Sequence, residues 1–567
     1  MDPIIFILIA LAATILVIVG VVLYRTSHFA IQLPEEHPIP LEEVDGEEVA
    51  RHIGLAIQMK TISNADPTKV DPLPFEGLRN LLQVLYPQVE DHLTREVIND
   101  GALLYTWQGS DPDLDAIALA AHQDVVPANE ASDSGWSYPP FAGEVADGYV
   151  WGRGALDCKG VLISIMEAVN NLIREGFEPR RTVYLLFGHD EECSGSRGAA
   201  ELASVLEARG IRLALLLDEG GAISRGTLPG VERPVAMIGV TEKGHLSLKL
   251  KATTRAGHAS VPPTETAIGA LSLAIATLEN NPFPQHLEMV EFMMSFVGNE
   301  IPFLDRMMLA NTWLFGSTVK RKMRANPITN ANTRTTIAPT LLRAGTAENV
   351  LPATAEGVIN LRIFPGETVR ETYERIFDLV ADETLEVLPQ HGDTLEGDHT
   401  WEPTEISNID SPQFRLLSRL AHSAYPQALV APYMMNGATD SRHYASLSNY
   451  IFRFSPMVLS HEDQETVHGV NERLSLENAA RMVSFMQALI RNASELDFES
   501  LSDEDGDFYE EDEAAQEVPI RSMQEPLPTK PLDQAKLDDN EFPDVEPLPE
   551  DDEPLAAKPL AESDPED

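Results

Sequence analysis

The sequence predicts an α/β protein, a split catalytic domain with a mainly parallel mixed sheet interrupted by a smaller α+β, ferredoxin-like domain. Three observations predict it. Short, nearly continuous apolar runs recur between amphipathic stretches: ALLYTW (102–107), AIALAAH (116–122), TVYLLFGH (182–189) and LALLLDEGG (213–221). Strands apolar on both faces belong to sheets covered on both sides. From residue 241 to 392 the rhythm changes to half-buried alternation, as in GHLSLKLKATTRAG and VINLRIFPG, in a β-α-β-β-α-β-like order. After Asp410 the first style resumes with SPQFRLLSRLAHSAY, YIFRFSPMV and LENAARMVSFMQALIRNA.

Residues 4–24, IIFILIALAATILVIVGVVLY, carry no charge and are bracketed by Asp2 and Arg25. As a helix they span about 30 Å, one hydrocarbon core. A cleaved signal would carry a basic start and a small-x-small cleavage site. Asp2 and the HFA at 28–30 provide neither. A single-pass anchor over 1–25 is expected, with the catalytic domain on the extracytoplasmic side. A Pro- and Glu-containing linker follows (26–45). The catalytic domain comprises 46–240 and 393–495, and the inserted domain 241–392. Between Asn281 and Arg334 lies a Phe- and Met-rich excursion that fits neither strand nor helix cleanly.

The net charge of -49 excludes nucleic acid as a partner, because phosphate binding needs a cationic face. Much of that charge is terminal. Glu495–Asp567 holds 27 acidic and 4 basic residues, so 496–567 is expected to be a disordered acidic tail. Cys158 and Cys193 are too few for a disulfide framework and read as thiols beside a site.

Acids and histidines gather where strands end, the edge at which open parallel sheets build sites. His122 and Asp124 occupy positions i and i+2 and project to one face. Asp124 is placed to steady an imidazole that holds a metal. Asp157, in GRGALDCKGV, stands just before a long helix and taken alone is an N-cap. FGHDEE (187–192) and LLLDEGG end apolar strands in carboxylates, and VHGVNE (467–472) offers His468 on a loop. Each signal is modest. Together they would crowd negative charge into one crevice, which is costly without cations. Nitrogen and oxygen donors without thiolate suit zinc, with cobalt or manganese as substitutes. One bridging carboxylate with a histidine and an acid on each side makes a two-metal site.

The ordered strings AHQDVVP, GRGALDCKG, HDEE, LLLDEGG, RAGHAS, NVLP, LRIFPG, TDSR and HGVNE resemble the two-zinc metallopeptidases of family M20 across residues 45–495. RTTIAPTLLRAGTAENVLP and NGATDSRHYASLSNYIFRFSPM look most like its carboxypeptidase S branch, which includes the N-fatty-acyl-amino-acid synthase/hydrolases. The resemblance implies that His122 and Glu192 hold one zinc, Asp218 and His468 the other, and Asp157 bridges them. Glu191 would be the general base and Asp124 the partner of His122. The inserted domain would be a lid and homodimerisation domain, offering His258 to the partner subunit's site to stabilise the oxyanion. Asn349 and Arg362 would grip the substrate's carboxylate, although Arg362 on an alternating strand also reads as a cross-strand ion pair. Asp440 and Arg442 would shape the pocket.

The reaction implied is cleavage of an amide whose leaving amine is an amino acid with a free carboxylate, in a small peptide or an N-acyl amino acid. The Phe- and Met-rich excursion would either line a groove for acyl chains or add core to the lid or dimer interface. The alternative class, a membrane-tethered protein of the same fold that binds without catalysis, requires a lost ligand or base. None of these positions departs from the pattern.

Overall fold

The computed structural model describes residues 3–31, 38–496 and Phe498, apart from positions 132, 227, 229 and 393. The expected acidic tail, beyond Leu496 and Phe498, lies outside the described residues, as does the middle of the linker.

Alternation along Ala116–His122 explains the main sheet. Ile117, Leu119 and Ala121 enter the core on one face, and Ala116, Ala118 and Ala120 enter the core on the other. A strand buried on both faces needs helices on both. The first face is covered by Gly46–Ile57, Lys159–Arg174 and Leu476–Glu495, the second by Ala199–Ala208. Eight strands follow the order Thr94–Ile98, Ala102–Trp107, Val183–Gly188, Ala116–His122, Leu213–Ser224, Ile451–Leu459, Val235–Glu242, Leu429–Met435. The His122 strand is parallel to both neighbours, and Leu213–Ser224 is parallel to Ile451–Leu459. The first two strands run antiparallel at one edge. This is the mainly parallel mixed sheet the sequence predicts, and its carboxyl ends bring residues 122, 188 and 218 to one edge.

The inserted segment forms its own antiparallel sheet in the order Thr336–Ala344, Thr354–Ile363, Gly244–Thr253, Leu385–Pro389. With helices Ala267–Asn280 and Val369–Val380 it makes the β-α-β-β-α-β order of a ferredoxin-like unit. Its core, built on Leu246, Leu248, Leu250, Leu271, Ile359, Leu361 and Ile376, is separate from that of the main sheet. The chain enters this unit through Lys243 and Gly244. A Cβ at residue 244 would stand 2.7 Å from Pro403 and 2.8 Å from the Trp401 carbonyl, so a glycine lets the outgoing and returning strands pass. Lys243 is fully buried there, its Nζ donating to the carbonyls of Ala331 (2.6 Å) and Arg334 (2.7 Å).

The Phe- and Met-rich excursion is helical, contrary to the irregular segment expected. It forms Glu288–Phe296, Phe303–Ala310, Thr312–Arg324 and Pro327–Ala331. Three of the four have nine residues or fewer, too few for a clean sequence period, and burial against a neighbour supplies their stability. Val290, Met293, Met294, Val319 and Met323 close on Val235, Met237 and Ala431 at the main-sheet edge. The excursion therefore adds core mainly at the main-sheet edge, while Phe283 at its start joins the core of the inserted domain.

Among the described residues one helix, Pro3–Ser27, is long and apolar enough to cross a membrane. Its last turns are docked. Arg25 Nε donates to Ala310 O (2.9 Å), and Asn311 Nδ2 to Val22 O (3.2 Å).

Candidate metal centre

His122 ends its strand fully buried. Its Nδ1 faces the Asp124 carbonyl at 3.0 Å and Oδ1 of Asp124 at 3.3 Å, which directs Nε2 outward. The Asp124 carboxylate also accepts the backbone N–H groups of Glu191 and Glu192, each at 3.2 Å. One buried carboxylate thus orients the imidazole and anchors the turn carrying both glutamates.

Asp157 stands in a turn pinned by a residue that the sequence reading did not assign. Glu472 Oε1 accepts the N–H groups of Gly154 (3.0 Å), Leu156 (2.9 Å) and Asp157 (3.2 Å), and Oε2 meets Arg153 Nη1 at 2.6 Å. Glu472 follows His468 by four residues, so the same contacts fix the His468 loop beside Asp157. The result is a divided carboxylate. Asp157 Oδ1 lies 2.9 Å from His122 Nε2, and Oδ2 lies 3.0 Å from His468 Nε2.

Each histidine has its own glutamate. His468 Nε2 meets Glu192 Oε1 at 3.2 Å, and His122 Nε2 meets Glu219 Oε1 at 3.0 Å. Asp218, expected as a ligand, accepts the Ser441 N–H at 2.8 Å through Oδ2 and the Glu219 N–H at 2.9 Å through Oδ1. A bulge follows it. Asp218 pairs with Arg453 but Gly221 with Phe454, so the extra residues break the alternation and turn Glu219 into the crevice. The signal was the second acid of LLLDEGG. The pairing also differs from expectation, with Glu219 beside His122 and Glu192 beside His468.

The cluster demands positive charge. Hydrogen bonds to Asp157 and Glu192 push His468 up to about 10. Burial pushes Glu219 up to about 7, with Asp157 adding. At Asp157 itself burial is outweighed by hydrogen bonds from the two histidines, which hold the carboxyl below its usual range. Protons here do what divalent cations would do better. The Cys158 sulfur lies within 4.8 Å of ligand atoms of His122 and Glu219 and accepts the backbone N–H of His122 at 3.2 Å. The two histidine–glutamate pairs around the Asp157 carboxylate offer nitrogen and oxygen donors, which fit two borderline or hard cations.

Glu191 is half-buried beside this cluster, within electrostatic reach of His122, Glu219 and Glu192. Asp440 is buried with neither carboxylate oxygen hydrogen-bonded, and burial pushes its carboxyl well up. Arg442 stacks on Trp401 at 4.3 Å and donates to Thr439 O. Arg362 pairs with His245 across the inserted sheet; burial lowers its guanidinium, and nearby Arg442 adds to this. Two guanidiniums near one another suit an anion. His258 and Asn349 lie elsewhere, both exposed on a short strand pair in which His258 opposes Val350 and Asn349 O accepts the Ala259 N–H. His258 Nδ1 accepts from the Ser260 hydroxyl at 2.7 Å.

Known proteins share this arrangement of sequence and fold. Residues 118–492 match the model of peptidase family M20/M25/M40. The chain is 36% identical over 449 residues to the probable carboxypeptidase S-like 2 of Dictyostelium discoideum, covering 78% of this chain and 85% of that protein. It is 41% identical over 403 residues to the N-fatty-acyl-amino acid synthase/hydrolase PM20D1 of Mus musculus, covering 70% and 78%. Carboxypeptidase S of Saccharomyces cerevisiae is 31% identical over 469 residues, covering 74% and 79%. The M20 family metallo-carboxypeptidase Sso-CP2 of Sulfolobus solfataricus has the same fold, with a TM-score of 0.57 at 16% identity over 79% of this chain and all of that one. The family's peptidases are metal-dependent, and the paired histidines and carboxylates at the sheet edge are the candidate site for metal in this chain. The chain belongs to peptidase family M20/M25/M40, in the company of carboxypeptidase S and the N-fatty-acyl-amino acid synthase/hydrolases, and is a hydrolytic enzyme.

Proposed function

We propose that the chain is a membrane-anchored dinuclear zinc amidohydrolase that cleaves small peptides or N-acyl amino acids with a free carboxylate beside the scissile amide. The observation that carries this reading is the Asp157 carboxylate, whose two oxygens face two separate histidine–glutamate pairs. His122 and Glu219 would hold one cation and His468 and Glu192 the other, with Asp157 between the two pairs. Zinc bound there supplies Lewis acidity, acidifying water and polarising a carbonyl.

Asp124 keeps His122 in the tautomer with a free Nε2. Glu191 takes the proton of the attacking water on a carboxylate oxygen and returns it to the leaving amine nitrogen. Arg362, with Arg442 near it, holds the substrate's carboxylate, which sets the register of the scissile bond. His258 and Asn349, adjacent and exposed on the inserted domain, serve the partner subunit's site in a homodimer, His258 donating to the oxyanion. The names of the mouse and yeast relatives support N-acyl amino acids and C-terminal residues as substrates.

A panel comparing N-oleoyl-phenylalanine with short dipeptides, each with and without chelator, tests the reading. Chelator-sensitive release of free phenylalanine from N-oleoyl-phenylalanine is expected. Turnover untouched by metal removal contradicts the mechanism, and turnover of dipeptides alone removes the lipid substrate.

A further inference from the structure

The apolar helix Pro3–Ser27 does not end in free linker. Asn311 Nδ2 donates to the Val22 carbonyl (3.2 Å) and lies 3.3 Å from the Thr26 hydroxyl, both on the last turns of the apolar run. Arg25 Nε is held by the carbonyl of Ala310. Helix Phe303–Ala310 packs along the anchor's end, and Thr312–Arg324 begins one residue after Asn311. Whatever depth the end of the anchor occupies, these two helices begin or end within a turn or so of it.

Their outward residues match that depth. Phe303 (50% exposed), Leu304 (66%), Trp313 (55%) and Leu314 (46%) are apolar side chains left open to solvent. Among the described residues, three aromatics beyond the apolar helix are exposed large apolar side chains, Phe303, Trp313 and Phe377, and two are here. Trp313 Nε1 donates to Asn311 Oδ1 (3.3 Å), so the indole is tied to the very residue that holds the anchor. Along the same helix follow Lys320, Arg321, Lys322 and Arg324, about 10–17 Å beyond Trp313 at 1.5 Å per residue. Residues 303–326 contain five basic residues and one acid, Asp305, in a chain of net charge -49. Lys322 is paired with Asp305 at 2.5 Å, and Arg321 and Arg324 are exposed on the same helix, Arg324 Nη2 donating to Gln285 Oε1 at 3.5 Å. An apolar tip with an indole, followed by a basic collar, is the pattern of a segment seated in a bilayer interface with anionic headgroups above it.

We propose that Phe303, Leu304, Trp313 and Leu314 insert into the interfacial layer of the bilayer that carries the anchor, with Arg321 and Arg324 against anionic headgroups, so that the catalytic body is seated on the membrane rather than tethered above it. This rests on the reading of Pro3–Ser27 as a span and adds a second, peripheral contact to it.

The test uses the full chain reconstituted into phosphatidylcholine–phosphatidylserine vesicles whose acyl chains are brominated near the headgroup. Flotation reports the anchor, and quenching of tryptophan emission reports the patch. Co-flotation together with a quenched, blue-shifted component that is lost in Trp313→Phe supports the proposal. Co-flotation with quenching identical in wild type and Trp313→Phe overturns the seating and leaves the span standing. Failure to float overturns the span and the seating with it. Trp313 is more than half exposed, so its replacement by phenylalanine is not expected to unfold the chain.

Discussion

Glu472 Oε2 lies 2.6 Å from Nη1 of Arg153, and the two residues, 319 positions apart, are buried to 0% and 3% exposure. The pair ties the Asp157 turn to the His468 loop, since Glu472 also accepts three backbone N–H groups of that turn. Removing it leaves a buried guanidinium uncompensated and those donors without an acceptor. Glu472→Ala is expected to cost about 3–5 kcal/mol of stability. Denaturant unfolding of the variant checks the cost, and metal titration of its surviving folded fraction should show weaker binding. Wild-type stability would mean that the pair does not hold the two loops.

Glu219 and Asp218 are adjacent acids with separate tasks. Glu219→Gln is expected to weaken metal affinity by about a hundredfold or more. Asp218→Asn should retain metal and be read instead in thermal stability, because the carboxylate serves the Ser441 amide. Metal affinities of the two variants in the opposite order would restore Asp218 as a ligand.

Among the described residues the Glu191 carboxylate has no hydrogen-bond partner, and its proposed role is proton transfer rather than metal binding. Glu191→Gln should therefore keep full metal content while kcat falls by about a hundredfold to ten-thousandfold. Parallel loss of metal and activity would place Glu191 among the ligands.

Lys243 carries a signature in pH. Burial, with Arg362 adding, lowers its ammonium to about 7, against the pull of Glu367. Between pH 7 and 10 the unfolded chain holds the proton more tightly than the folded one, so this group makes stability rise with pH across that window. The penalty is fully present below pH 7. The stability of wild type relative to Lys243→Met should increase from pH 7 to pH 10 in paired denaturation curves. A difference independent of pH would show that the lysine titrates normally.

Much of this was legible in the sequence because it is local. The uninterrupted apolar run of AIALAAH requires covered faces, and period-two burial along Thr354–Ile363 gives the inserted sheet. His122 with Asp124, and Asp157 before its helix, are readable as motifs because neighbouring residues supply the geometry. Glu219 was not readable, since the bulge that turns it depends on pairing with Arg453 and Phe454 more than two hundred residues away. Nor was Glu472, whose partners lie over three hundred positions distant. Three of the excursion's four helices are too short to show a period, and Met293, Met294 and Met323 pack with Met237 and Ala431. The docking of helix Pro3–Ser27 on Asn311 likewise has no sequence signature.

The central claim is that Asp157 joins two cation sites, and anomalous diffraction at the zinc edge from crystals of the zinc-loaded enzyme tests it most directly. The account predicts two peaks about 3.5–4 Å apart, flanking Asp157, one bounded by His122 and Glu219 and the other by His468 and Glu192. A single peak, or one held by Asp218 with Asp157 outside the coordination sphere, would contradict it.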